Sequence, residues 1–257
     1  MKNLIHLALL WVISTLPAYG FDHTHNLWTT WLKDHTREVS GPATQVNYDK
    51  ARNNPTPLNS YLNQLSSVKA EEFAGWNKNQ KMAFLINAYN AFTIKLIIDH
   101  KPVKSIKKIG GLLSTPWKIR FIPLLGKELT LDEIEHERLR PVFKDPRIHF
   151  AVVCASVGCP RLQQEAFVPE KIEEQMDRAT REFLKDQTRN KIEVKDSKTI
   201  LHLSNIFKWY AADFGGTSNL AGYVIPYSPL SQEDKVKALR QESEIKYLDY
   251  DWNLNSY

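Results

Sequence analysis

The chain has 257 residues, with 34 Lys and Arg against 29 Asp and Glu, for a formal net charge of +5. These charges are scattered among one another, which excludes the concentrated basic patch that nucleic-acid binding requires. The length suits one substantial core, and no internal repeat, low-complexity segment or Gly/Ser linker divides it.

In chain order, residues 1–20 have the layout of a secretory signal. Lys2 precedes an apolar run from Leu4 to Leu16, and the small residues Ala18 and Gly20 mark a cut after Gly20. The run is too short to span a bilayer comfortably. The expectation is a periplasmic or secreted protein, with residues 21–257 forming a single domain and no membrane span left after cleavage.

Leu27 to Val39 has helical periodicity. Leu58, Tyr61, Leu62 and Leu65 follow the i, i+3, i+4, i+7 spacing of a second helix, and Lys78 to His100 predicts a long third one. Ile119 and Phe121 alternate with basic residues ahead of a hairpin turn at Leu125-Gly126-Lys127. Thr130 followed by Glu133 is a capping box, opening a helix that ends at Arg140-Pro141. Arg147 to Val153 reads as a buried strand. Pro169 to Asp186 predicts an amphipathic helix, and Lys191 to Leu203 a hairpin turning at Asp196-Ser197. Asn205 to Phe214 is short and aromatic. Ser231 caps a further helix, and Ile245 to Trp252 has strand character. The pattern is α+β: a helix-rich first part, with a long buried central helix packed on a small mixed or antiparallel sheet.

The segment Ile148 to Leu162, IHFAVVCASVGCPRL, holds both cysteines, Cys154 and Cys159. A small-residue loop that includes Ser156 separates them, and His149 stands five positions before Cys154. A rigid element that delivers a thiol onto such a loop is a common way to present a reactive group. On the third helix, Gln80, Asn87 and Asn90 interrupt an otherwise apolar run. An unpaired buried amide costs about 1–3 kcal/mol, so each needs a partner. Two readings stand: a structural network, or the polar wall of a cleft shared with His149 and Cys154.

The runs NQKMAFLINAYNAFTIKLI, LDEIEHERLR, DPRIHFAVVCASVGCPRL and SNIFKWYAADF together resemble the family called domain of unknown function 547. FDHTHNLW and YLDYDWNLN look like its bacterial exported members. The resemblance covers nearly the whole chain after the leader. Asn87, Asn90, Glu135, His136, His149, Cys154, Ser156, Cys159, Pro160 and Asp213 match the family pattern, which assigns them no roles. Some eukaryotic members join this domain to DEP and glutaredoxin-like domains, which implies thiol chemistry or regulated partner binding.

Three readings of the cysteines remain open. An exported chain with one close pair invites a Cys154–Cys159 disulfide. A reversible redox pair is the second, although the spacing is wider than C-x-x-C. The third is a nucleophilic Cys154 with His149 as its base, provided that the strand ends or bulges so that the two side chains meet. In that case Cys154 attacks a carbonyl, His149 carries the proton, and Asn87 or Asn90 orients the histidine or binds the oxyanion. These are the parts of a papain-like or transglutaminase-like site in a different order. Glu135 and Arg140 read as surface or interdomain ion pairs, and Trp209, Tyr210 and Phe214 as core or as an aromatic platform. Asp213 reads as a cap or as the partner of an arginine such as Arg147.

The working function is a thiol-dependent hydrolase or acyl transferase with Asn87, Asn90, Ser156 and Asp213 in its cleft. The alternative is a non-catalytic envelope module that binds a peptide, protein or small molecule. No cofactor is called for. Glu133 and His136 make a single E-x-x-H, where a carboxylate-bridged metal pair needs two. Cleavage after Gly20 would leave Phe21-Asp22-His23, whose amine, amides and imidazole could hold Cu(II) in a square plane, with His25 as an axial ligand.

Overall fold

A computed structural model describes residues 20–39, 44–100, 102–111 and 114–257, so nearly all of the signal-like leader lies outside the described residues. Helix α1 (Asn26–His35) buries Trp28, Trp31 and Leu32. It stops earlier than its periodicity suggests, because Thr36 turns its hydroxyl back to the Leu32 carbonyl at 2.7 Å and opens an extended segment. That segment is β1 (Thr36–Glu38), paired antiparallel with β2 (Thr44–Val46). Helices α2 (Tyr48–Asn53), α3 (Thr56–Ser67) and α4 (Ala70–Gly75) follow. The buried face of α3 is Leu58, Tyr61, Leu62 and Leu65, as the spacing predicts.

Helix α5 (Lys78–Asp99) is the centre of the first core, and every residue from Met82 to Ile94 is buried. Its start is fixed by a reciprocal capping box between Asn77 and Gln80, with bonds of 2.9 and 3.0 Å. Gln80 is therefore a cap rather than part of a polar face. The main packing partners of α5 are α2, α3 and a π-helical stretch, Glu133–Leu139. It is also long and apolar enough to cross a membrane, yet here it is the buried core helix.

Strands β3 (Ile122–Leu124) and β4 (Lys127–Leu129) form the expected hairpin. Leu125 and Gly126 both take positive φ, 54° and 73°, the combination that two-residue hairpin turns require. The Thr130–Glu133 capping box is present, with bonds of 2.7 and 3.0 Å. The helix it opens runs past Arg140-Pro141 into α6 (Arg140–Phe143), because a proline in a first turn gives up no needed N–H.

The expected strand at 147–153 does not form. Pro146 starts a 3-10 helix, Pro146–Phe150, and the Asp145 carboxylate caps it by accepting from the Arg147 amide at 2.9 Å. The apolar run is buried, as read, but its backbone is paired by a side chain instead of a neighbouring strand.

Helix α7 (Ile172–Lys185) leads to β5 (Lys191–Val194) and β6 (Lys198–Ser204). Helices α8 (Asn205–Trp209), α9 (Leu220–Tyr227) and α10 (Gln232–Arg240) precede β7 (Glu242–Leu248). Strand β6 is central, antiparallel to β5 and parallel to β7, so the sheet is mixed. This sheet belongs to a second core built on Phe150, Phe183, Phe207 and Phe214. The segment from Ile148 to Leu162 runs along the seam: Phe150 enters the second core, while Ile148, Val153 and Cys159 enter the first. The α+β class is thus what the chain adopts, with small sheets and one long buried helix.

Candidate active site

Two asparagines of α5 build the wall of the site from behind. Asn90 accepts from the Val153 N–H and donates to the Ala151 carbonyl, both at 2.9 Å. Asn87 does the same for both backbone groups of Phe167, at 3.0 and 2.7 Å. Each amide thereby replaces one rung of a β-ladder inside the core, where an unpaired group would cost about 1–3 kcal/mol. Neither asparagine lines the cavity. The cleft reading of Asn87 and Asn90 is corrected to that of backbone clamps.

Beyond Val153 the chain curls. Ala155 takes φ 62°, and the Cys154 N–H donates to Cys159 Sγ at 3.0 Å. The two sulfurs stand 2.6 Å apart as free thiols. The C-terminal segment straps this loop down. Val157 N–H donates to the Asn253 carbonyl at 2.8 Å, Gly158 N–H to Asp251 at 2.9 Å, and Asn255 N–H to Ala155 at 3.1 Å. A side chain at Gly158 would place its Cβ 3.0 Å from the Tyr250 ring, so glycine lets the ring close on the loop. The Tyr250 hydroxyl then lies 3.2 Å from Cys159 Sγ and 3.4 Å from Cys154 Sγ. Ser156, expected in the cleft, is instead buried with its hydroxyl 3.7 Å from Cys154 Sγ and does not line the main cavity.

These contacts separate the thiols electrostatically. The hydrogen bond from Cys159 lowers the pKa of Cys154 against its burial, and those from Tyr250 and Ser156 add to it. Burial raises Cys159 well above the usual thiol value. The negative charge of the pair therefore settles on Cys154, the half-buried member.

His149 is almost fully buried, with its ring stacked on Tyr210 at 3.9 Å. Its Nε2 lies 2.7 Å from Asp213 Oδ2. Asp213 pairs with Arg140, not Arg147: Nε reaches Oδ2 at 2.6 Å and Nη2 reaches Oδ1 at 3.0 Å. Arg147 is taken by Asp145 and Glu173 instead. Burial would raise Asp213, but its bonds to Arg140 and His149 hold it below the usual carboxylate value. Burial lowers His149 and outweighs the Asp213 bond, so the imidazole is neutral near pH 7. With Nε2 engaged, Nδ1 is the nitrogen left for proton transfer. Among the described residues no hydrogen bond joins it to Cys154.

Cys154 and His149 line one cavity of about 300 Å³. Its other walls include Tyr210, Tyr250, Trp252, Asp132 and Glu135, none of them proposed from the sequence as cleft residues except Tyr210. Glu135 is corrected from a surface or interdomain ion pair to a buried cavity residue on the π-helical stretch. Such stretches often mark functional sites. The Glu133–His136 spacing pointed at this helix without revealing which carboxylate faces inward. Trp209 is 47% exposed and lines the cavity with Tyr210, whereas Phe214 is core.

His23 lies against Trp76 with ring centroids 4.4 Å apart, and the Phe21 N–H donates to Glu72 at 2.8 Å. His25, buried with Nδ1 2.7 Å from the Tyr61 hydroxyl, is placed for packing rather than for axial ligation. Among the described residues no group of three His, Cys, Asp or Glu could hold a metal.

Residues 73–184 match the family model described as "Protein of unknown function, DUF547". The match supports the DUF547 family. No curated protein and no solved structure matches the chain. The matched segment carries Asn87, Asn90, Glu135, Arg140, His149, Cys154 and Cys159. Tyr210, Tyr250 and Trp252 lie outside it, so the cavity combines residues of the matched segment with groups supplied by the last 73 positions of the chain, 185–257; Asp213 also lies outside it and does not line the cavity itself.

Proposed function

We propose that this protein is a thiol-dependent acyl-transfer enzyme, a hydrolase or acyl transferase acting on an amide- or thioester-like carbonyl. One observation carries this reading. A cysteine whose thiolate is favoured shares a cavity with a buried histidine, and an arginine-anchored aspartate holds that histidine at 2.7 Å.

In the first half-reaction the Cys154 proton passes to His149 Nδ1 and the sulfur attacks the carbonyl carbon. The S–C bond forms and the carbonyl π pair moves to oxygen. When that pair returns, the leaving group departs with the proton from His149. In the second half-reaction water or another nucleophile gives its proton to His149 and attacks the thioester, and Cys154 leaves and recovers that proton. Asp213 steadies the imidazolium, as the third member of such triads does. The Tyr250 hydroxyl and the Cys159 thiol are donors beside the sulfur. Nucleophile–base hydrogen bonds often tighten only in the substrate complex.

Iodoacetamide labelling of the reduced protein tests this reading. Cys154 should alkylate well before Cys159, with a pH midpoint below that of a free thiol. Equal labelling of both, or none at Cys154, sinks it.

A specific observation favours a second reading, a binding module with a Cys154–Cys159 bridge. The sulfurs are 2.6 Å apart, against about 2.0 Å for the covalent bond. A bridge would remove the nucleophile and leave the aromatic cavity as a binding site. Intact mass with and without reductant separates the two.

A further inference from the structure

We propose that the Cys154 cavity selects a ligand bearing an amine cation, bound at Glu135 against the tryptophan wall. The inference deepens the acyl-transfer reading by naming the substrate class and rests on it for the word substrate. The binding itself does not need the thiol.

The charge of the cavity lining is one-sided. It holds two carboxylates, Asp132 and Glu135, and among the described residues no lysine or arginine. Asp132 is answered by His136, whose Nε2 stands 3.7 Å from Oδ1. His136 Nδ1 accepts from Arg140 Nη1 at 2.7 Å, which leaves Nε2 to face Asp132. Glu135 has no such answer. It is only 5% exposed and faces the cavity, and among the described residues no cationic side chain forms an ion pair with it. The nearby guanidinium of Arg140 is committed to Asp213. The polar neighbour of Glu135 is the Tyr210 hydroxyl, a neutral donor, and Arg140 and His149 act on it only through space. Buried charges in proteins are normally paired. Here the missing partner has room to come from outside.

The tryptophans of the same lining suit a cation as well. Trp252 sits 5.9 Å from Trp117 and 5.6 Å from Trp209, centroid to centroid, in one continuous aromatic surface. Indole faces attract cations within about 6 Å. Trp252 already carries one, the Lys107 ammonium, 4.7 Å from the ring centroid. A carboxylate and indole rings in one lining recognise an ammonium head with a short apolar stem. They discriminate against a substrate that brings a carboxylate or phosphate to the same place.

The test is titration of tryptophan fluorescence in the Cys154→Ala variant, where no covalent step can occur, with n-butylammonium chloride against n-butanol. The expected result is saturable binding of the ammonium at least tenfold tighter than of the alcohol. Glu135→Gln should remove that tenfold preference and leave the alcohol unchanged. Equal affinities for ammonium and alcohol, or a folded Glu135→Gln protein that keeps the preference, overturn the proposal. Should Glu135→Gln fail to fold, the ammonium-against-alcohol comparison decides alone. Ammonium selectivity that persists while Cys154 proves inert would fault the acyl-transfer reading and leave this one standing.

Discussion

Arg140 holds Asp213 through both ends of its guanidinium fork, and the same carboxylate oxygen that accepts from Arg140 Nε also faces His149 Nε2. The three residues come from α6, a 3-10 turn and the aromatic stretch after α8, so the relay is a product of the tertiary fold. It sets the imidazole tautomer and, among the described residues, leaves Nδ1 without a hydrogen bond. The first prediction follows from this. Asp213→Asn should lower the acyl-transfer kcat/KM by ~100-fold or more, since a comparable change in a triad misplaces the histidine proton. Arg140→Ala should lower it less. A kcat/KM that is unchanged in Asp213→Asn would remove Asp213 from the mechanism.

Tyr250 is the hydroxyl within reach of both sulfurs. Its bond is among those that lower Cys154, so Tyr250→Phe should move the pH midpoint of Cys154 alkylation upward. Gly158→Ala should act in the same direction by pushing the ring away, because the added Cβ meets it at 3.0 Å. A midpoint indifferent to both changes would mean that the C-terminal strap has no part in activating the thiol.

The asparagine clamps separate stability from chemistry. Asn90→Ala leaves the Val153 N–H and Ala151 carbonyl unpaired in the core and should destabilise the fold by about 2–4 kcal/mol. Asn87→Ala frees both groups of Phe167 and should cost a similar amount. Only Asn90→Ala releases the segment that leads into Cys154, so it alone should alter the alkylation rate. Urea unfolding and timed alkylation, measured on both variants, would expose the idea as wrong if the two behaved alike in the second assay.

Acid should unfold the protein through its buried histidines. Burial lowers the His25 pKa to about 3 from an ordinary 6.5. Below pH 6.5 the unfolded chain takes up a proton that folded His25 refuses until about pH 3. Stability therefore falls as the pH drops through that window, by about 1.4 kcal/mol per pH unit. His149, also lowered by burial, adds loss in the same direction below 6.5. His25→Gln should flatten the slope of unfolding free energy against pH by close to one proton. An unchanged slope would mean that His25 does not titrate as its burial requires.

Local signals were readable wherever the physics is local. The Leu58–Leu65 spacing, the Thr130–Glu133 box, the Leu125-Gly126 turn and the Ser231 cap each depend on residues within a few positions. The 147–153 segment was misread because a short apolar run looks the same in a strand and in a buried turn. Its actual pairing partner, Asn90, is more than 60 positions away. Asn87 and Asn90 stood out as buried amides in need of partners, yet the helix alone could not say whether those partners were backbone or ligand. Arg140–Asp213–His149 and Tyr250 over the two sulfurs are contacts of long sequence separation, and no local pattern encodes them. Glu135 reads as a surface ion pair because nothing local in the sequence shows which carboxylate of the π-helical stretch turns inward.

The central claim is that Cys154 forms a covalent acyl intermediate with His149 as its proton carrier. The most direct measurement is to mix reduced protein with p-nitrophenyl acetate, quench in acid and locate the acetyl group by peptide mass spectrometry. The account predicts a single acetyl on Cys154, formed much more slowly in His149→Ala and absent in Cys154→Ala. An acetyl that appears on Cys159 instead, or no adduct on Cys154 while both thiols are demonstrably free, would contradict it.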